Sequence, residues 1–227
     1  MGEHNWPIER GGVGPNFRLN PQIAVASEAG IPIRLRFSDQ VRVGLVESGL
    51  FVTKIAIERG MPDLNAVTGL RVVNDDLTPG LSFELPRVTE VAFDPSIQSF
   101  YKGDNFGKSL PDQQKFAEDY ASELATSMDV EPKEISGVIG LGPEIQEVFG
   151  RYLEVFKKMP INEQAPFWLR TASESGGMSV VMRVSRTHAG GYVLCANRAP
   201  KHRGDRVGND DRQVVAWPFI MPRAAVV

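Results

Sequence analysis

The chain has 227 residues, 42% of them hydrophobic and 23% charged, which is ordinary for a globular protein and excludes a largely disordered chain. Its 25 basic and 28 acidic side chains give a formal charge of −3, which excludes a field that draws the whole protein onto nucleic acid or anionic lipid. The single cysteine, Cys195, excludes an intramolecular disulfide framework and a zinc site built from several cysteines.

Residues 1–22 predict an extended N-terminal arm, because four glycines and three prolines interrupt any periodic apolar pattern. Such an arm is either disordered or laid on a partner; Trp6 and Phe17 are more apolar than a solvated tail requires, which favours the partner surface. No signal pattern opens the sequence, and no window approaches the ~18 to 20 apolar residues of a membrane helix. We therefore expect a soluble protein, in the cytoplasm or within an assembled particle.

Several runs between residues 31 and 93 follow a period of two, which predicts half-buried strands. Apolar residues such as Ile33 and Leu35 alternate with polar ones, and turn residues separate the runs. The predicted strands cover residues 31–37, 41–45, 51–57, 69–73, 81–85 and 87–93. Their short connections favour an antiparallel meander.

The middle third of the chain predicts two helices. Ser109 suits an N-cap, with Pro111 in the first turn and Asp112 in a capping-box position. The second helix starts near Pro143 and runs to about residue 159, where Pro160 ends it. Between the helices we expect a turn and a short strand or extended link.

Period two returns after residue 165. Four further strands are predicted at residues 166–171, 178–187, 191–197 and 212–220, with a hairpin turn at 188–191. Residues 214–227 are apolar and broken by prolines, which predicts a C-terminal arm that overlaps the last strand. Trp217 and Phe219 in this arm are candidates for docking on a neighbouring subunit, with the chain's own core as the alternative.

This order of elements predicts an α+β fold with mainly antiparallel sheets, in a sandwich or jelly-roll-like layout with a two-helix insertion at about 109–160. We expect a single domain over residues 23–222, with a possible subdomain boundary near residue 105.

Motifs that carry chemistry are weak throughout. The glycine-rich segment at 136–149 resembles a phosphate loop only loosely, and Glu144 places a negative charge where a phosphate would sit. The Asn and Asp clusters at 74–76 and 209–211 suit turns better than a metal site. Cys195 lies in a predicted strand, where a small buried thiol is expected, away from His188 at the turn. We predict no catalytic residue, metal or cofactor.

The connection at residues 198–211 mixes charges, and five bases against three acids leave it only +2 over residues 197–219. Its tripeptide Arg203-Gly204-Asp205 is the weakest basis for a function, because three common residues recur by chance. The candidate polyanion-binding residues are Arg198, Lys201, Arg203, Arg206 and Arg212.

These patterns favour a structural or assembly subunit that self-associates or joins other subunits through its arms and sheet surfaces. A capsid-like subunit is one form of this prediction. Its candidate interaction residues are Trp6, Phe17, Trp217 and Phe219. One alternative is an enzyme whose site is dispersed over loops, drawing on Asp75, Asp76, His188, His202 or Asp210. The other is a module that binds nucleic acid or another polyanion through the 198–212 loop.

Overall fold

The computed structural model describes residues 33–57, 70–74, 87–96, 105–161, 165, 167–175, 177–201 and 213–223. Within these ranges the chain forms two five-stranded sheets and three helices, which confirms the predicted α+β class with mainly antiparallel pairing. The predicted N-terminal arm at 1–22 and the predicted strand at 81–85 lie outside the described residues.

The first sheet is built around β4. Its strands are β1 (Ile33–Leu35), β2 (Phe51–Ile57), β4 (Arg87–Phe93), β5 (Ile135–Ile139) and β10 (Pro218–Pro222). One edge of β4 pairs with β2 in antiparallel register along its whole length. The other edge pairs first with β1 in parallel and then with β10, which continues to β5 in antiparallel register. Residues distant in the sequence therefore meet at the middle of this sheet.

The second sheet has the order β3-β8-β7-β6-β9. Its strands are β3 (Arg71–Asn74), β6 (Phe167–Ser175), β7 (Met178–Arg186), β8 (Tyr192–Ala199) and β9 (Gln213–Ala216). The predicted hairpin turn between β7 and β8 is confirmed, and Gly190 in it takes a φ of +83°, which an L side chain rarely adopts. The pairs β1–β4, β3–β8 and β6–β9 are parallel, so the jelly-roll layout is not confirmed.

Two of the three helices were predicted, and the third is a correction. α2 (Leu110–Ser127) begins after Ser109, whose hydroxyl accepts a hydrogen bond from the Asp112 amide at 3.3 Å, and α3 spans Gly142–Phe156. Residues 41–45, predicted as a strand, instead lie in α1 (Asp39–Glu47).

The apolar spacing of residues 41–45 is compatible with both a strand and one side of a helix. In α1, Val41 and Leu45 lie one helical turn apart and are both buried, while Val43 between them is exposed. Ser38 caps the start of this helix, since its hydroxyl accepts a hydrogen bond from the Val41 amide at 3.3 Å.

The core has two main parts, one on each face of the first sheet. α1 and α2 cover one face, where side chains such as Leu45 and Leu124 pack around Ile220. The other face packs on α3 and the inner face of the second sheet, in a larger cluster that includes Phe93 and Phe149. α3 contacts β2 of the first sheet and β6 and β7 of the second, and its residues 142–150 are all buried.

The segment predicted as a C-terminal arm belongs to this core as far as residue 222. Residues 213–216 form β9, an outer strand of the second sheet, and residues 218–222 form β10 between β4 and β5. All of residues 214–222 are buried. The apolar composition of this segment therefore reflects burial within its own chain.

None of the helices in the described part of the chain is both long and apolar enough to cross a membrane.

Candidate functional site

The predicted interaction residues divide between the core and the undescribed part of the chain. Trp217 is 1% exposed and Phe219 is fully buried. The Trp217 indole nitrogen donates a hydrogen bond to the Asp94 carbonyl at 3.0 Å, and the ring meets Phe93 edge to face at 4.9 Å. Docking of these two side chains on a neighbouring subunit would require them to leave the core. Trp6 and Phe17 lie outside the described residues.

The candidate polyanion-binding residues are described only in part. Arg198 and Lys201 are half-buried, and the Lys201 ammonium forms an ion pair with the Glu174 carboxylate at 2.5 Å. This pairing neutralises Lys201, one of the two polyanion-binding candidates that the structure describes. The other three candidates, Arg203, Arg206 and Arg212, lie outside the described residues.

The described residues contain no group of three or more His, Cys, Asp and Glu side chains placed to hold a metal ion. Cys195 lies in β8 as predicted, but it is half-buried where full burial was expected, and its cross-strand neighbour is Arg183. His188 is exposed in the turn between β7 and β8. The other residues named for a dispersed catalytic site, Asp75, Asp76, His202 and Asp210, lie outside the described ranges.

The glycine-rich segment before α3 is explained by packing. A Cβ atom on Gly137 would lie 1.7 Å from the Ala117 carbonyl oxygen, and one on Gly140 would lie 2.7 Å from the Phe219 ring. At the start of α3, the Leu141 amide donates to the Glu144 carboxylate at 2.8 Å. The glycines allow close packing, and a carboxylate of the chain itself occupies the position favoured by an anion.

Polar side chains of α3 are buried where the helix meets both sheets. The Gln146 amide donates to the Leu70 carbonyl at 2.8 Å. Burial raises the pKa of Glu147, and its ion pair with Arg151 at 3.0 Å offsets part of that effect. These contacts hold α3 in its layer, so we assign them a structural role.

A buried arginine, Arg170 on β6, ties three parts of the fold together. Its Nε donates to the Gln113 side-chain oxygen at 2.5 Å, and Nη1 donates to the Ser179 hydroxyl at 3.0 Å. Nη1 also donates to the Pro200 carbonyl and Nη2 to the Lys108 carbonyl, both at 3.2 Å. Burial lowers the pKa of Arg170 to about 10. This value is still well above neutral pH, so the side chain remains protonated.

The hydrogen bonds of Gln113 extend this network to β9. The Gln113 amide nitrogen donates to the carbonyls of Asn105 at 2.7 Å and Val214 at 3.0 Å. Asn105 in turn exchanges two side-chain hydrogen bonds with the backbone of Ala216, at 2.9 and 3.1 Å. We call Asn105, Gln113, Arg170 and Ser179 the Arg170 cluster.

The Arg170 cluster lies where the chain enters and leaves residues 202–212. On the entry side, the Leu110 amide donates to the Lys201 carbonyl at 2.8 Å, and on the exit side the Gly107 amide donates to the Val214 carbonyl at 3.0 Å. Gly107 and Leu110, just before and at the start of α2, therefore bond to the described residues on both sides of this connection. Sequence analysis missed the cluster, and its only signal was one arginine within the apolar run of β6.

Exposed apolar side chains form a different kind of candidate site. The large hydrophobic residues that are clearly exposed in the described ranges form two pairs: Val43 and Val46, each 56% exposed, and Val155 and Phe156, at 62% and 47%. Each pair lies on one helix. Sequence analysis did not predict either pair, because exposure of an apolar residue depends on which neighbours cover it.

The second pair ends α3. The Phe156 ring packs against Tyr152 at 4.4 Å and against Phe51 at 5.6 Å, so one side of the ring is held while the other faces solvent. The exposed Lys157 and Lys158 follow directly. We call Val155, Phe156, Lys157 and Lys158 the α3 tip.

The first pair lies on α1, opposite the side that packs on the first sheet. Asp39, Val43, Val46 and Glu47 follow the spacing i, i+4, i+7, i+8 and so form one stripe, and all four are exposed. Val41 and Leu45, which are buried, define the other side of the helix. We call Asp39, Val43, Val46 and Glu47 the α1 stripe.

No family model, no curated protein and no solved structure matches this chain.

Proposed function

We propose that this chain is a structural or assembly subunit that associates with copies of itself or with other subunits. The observation that supports it is the grouping of exposed apolar side chains in pairs on two helices. Scattered exposed hydrophobics are normal on a monomer, whereas clusters beside charged residues are typical of interaction surfaces.

The α3 tip has the properties of an interface anchor. Phe156 is already held on one side by Tyr152 and Phe51, so docking would immobilise it at little further entropic cost. Aromatic side chains at such positions contribute strongly to binding when a partner covers them. Because Trp217 and Phe219 lie in the core, the C-terminal segment no longer supports this proposal, and the helical pairs take its place.

A particle shell, capsid-like or virion-associated, is one form that such an assembly can take, and a smaller complex in the cytoplasm is another. The N-terminal residues 1–20 remain part of the proposal, as an arm that docks on a neighbouring subunit. We expect their deletion to weaken association more than it disrupts secondary structure.

The mass in solution tests this proposal. We expect light scattering coupled to size-exclusion chromatography to give a mass above the 25.0 kDa of one chain. The mass should rise with concentration between about 1 and about 100 μM, the range suited to a small interface. A mass of 25.0 kDa at every concentration, unchanged when residues 1–20 are deleted, would remove self-association from the proposal.

If the chain joins other subunits instead, it should be monomeric alone and shift to a defined complex when its partner is added. Neither the enzyme alternative nor the polyanion alternative gains a specific observation from the described residues, in which no metal cluster occurs and Lys201 is paired with Glu174.

A further inference from the structure

We propose that copies of this chain associate head to tail, with the α1 stripe of one copy docked on the α3 tip of the next. This inference rests on the proposed assembly function and names the two surfaces and the partner. The occupant of each surface is a second copy of the same chain.

Each of the two surfaces presents one exposed apolar pair. Val43 and Val46 are one helical turn apart on α1, and each exposes 56% of its surface. At the α3 tip, Val155 and Phe156 present a similar apolar pair at 62% and 47%. Docking the two pairs would remove the clearly exposed large hydrophobics of the described residues from water.

The charges beside these pairs are opposite. Glu47 gives the α1 stripe a negative flank, whereas the Asp39 carboxylate, although 97% exposed, already pairs with the Arg42 guanidinium at 2.7 Å. Lys157 and Lys158 give the α3 tip a positive flank. Opposite charges at the rim of an interface favour the correct partner and speed association.

The position of Glu47 supports a role beyond helix stability. It is the last residue of α1, where the helix dipole disfavours a negative charge. Lys157 and Lys158 follow the end of α3, where the dipole favours cations, so local stability already explains them. Glu47 is therefore the residue that docking explains and the isolated helix does not.

The two surfaces lie on opposite faces of the first sheet. α1 packs on the face around Leu45 and Ile220, and α3 packs on the face around Phe93 and Phe149. One copy therefore cannot join its own stripe to its own tip. An interface between two different surfaces continues from copy to copy and gives a ring or a filament.

The test uses two variants that each lack one surface. The stripe variant carries Val43→Gln and Val46→Gln, and the tip variant carries Val155→Gln and Phe156→Gln. Glutamine is polar and forms helices well, so the helices should persist, as circular dichroism and the midpoint of thermal unfolding would verify. If the tip variant misfolds, Lys157→Glu with Lys158→Glu replaces it and leaves the aromatic contacts intact.

We expect each variant alone to associate at least about tenfold more weakly than wild type, because two apolar contacts are lost. An equimolar mixture should form a 1:1 complex at twice the 25.0 kDa of one chain, since each variant keeps one complementary surface. In the same way, Glu47→Lys should weaken association of the wild-type chain and should bind the Lys157→Glu/Lys158→Glu variant.

Other outcomes overturn the head-to-tail arrangement. If the stripe variant still associates by itself and the tip variant does not, the tip pairs with itself; if the tip variant still associates by itself and the stripe variant does not, the stripe pairs with itself. If wild type associates and neither variant differs from it, another surface forms the interface and the assembly function stands. If wild type is monomeric at every concentration, the self-association on which this inference rests fails as well.

Discussion

Replacing Gly137 with alanine tests the contact between α2 and β5. Gly137 lies in β5, and its backbone approaches α2 so closely that an added Cβ would be 1.7 Å from the Ala117 carbonyl oxygen and 3.1 Å from the Ala121 methyl group. Ordinary contacts of this kind are at least about 3.4 Å long. The helix and the strand would therefore have to separate by well over an ångström.

That separation would loosen the cluster on this face of the first sheet, where Ala121 and Leu124 pack near Ile135. Overpacking a core costs about 1 to 3 kcal/mol when side chains can adjust. Here the obstacle is the backbone of a helix, so we expect the free energy of unfolding to fall by about 3 kcal/mol or more. Total stability of a domain is about 5 to 15 kcal/mol, so this loss is large.

Gly44→Ala is the matched control. A Cβ on Gly44 would meet the Met128 sulfur at 2.9 Å, which is the flexible part of a side chain that can rotate away. Alanine also raises helix propensity by about 1 kcal/mol at this position in α1. We expect Gly44→Ala to lie within about 1 kcal/mol of wild type in urea unfolding followed by circular dichroism. A Gly137→Ala variant as stable as Gly44→Ala would refute the close approach of α2 to β5.

Three further predictions concern buried polar groups and helix starts. Arg170→Met should lower the free energy of unfolding by about 3 to 5 kcal/mol, because the acceptors of the buried Arg170 lose their donor. Its control, Arg186→Met at an exposed position, should lower it by less than about 1 kcal/mol. Equal effects of the two substitutions in urea unfolding would contradict the buried network. The pKa of Tyr120 is raised to about 12, first by burial and then by Asp94, so the folded state holds this proton more tightly than the unfolded state. Its contribution to stability is therefore complete below about pH 10 and is lost as the pH rises toward 12, by about 2 kcal/mol, and Tyr120→Phe should remove this loss between about pH 10 and 12. Ser109→Ala should cost about 1 kcal/mol by removing the N-cap of α2, and no change in the unfolding midpoint would exclude that cap.

Elements with strong local signals were predicted from the sequence. The start of α2 was fixed by Ser109, Pro111 and Asp112, and these residues act within one helical turn of each other. The strand at 87–93 and the turn at 188–191 were likewise predicted from patterns contained in fewer than ten residues. Such features need no knowledge of the rest of the chain, because the interactions that form them are local.

Features that depend on distant neighbours were decided only by the tertiary structure. Residues 41–45 alternate like a strand, and they are helical because one side of α1 finds a face of the first sheet to cover. Trp217 is a residue type that is common at interfaces, yet the pairing of β10 with β4 and β5 places it in the core.

The candidate sites follow the same rule. Arg170 is a structural residue because β6 passes under the start of α2, more than fifty residues away in the sequence. Val43 and Phe156 are candidate interface residues because the folded chain leaves them uncovered. The sequence by itself determined which segments form helices and strands where capping and turn residues were present. The tertiary structure decided which apolar and charged side chains are buried, because burial is set by contacts between segments that are far apart in the chain.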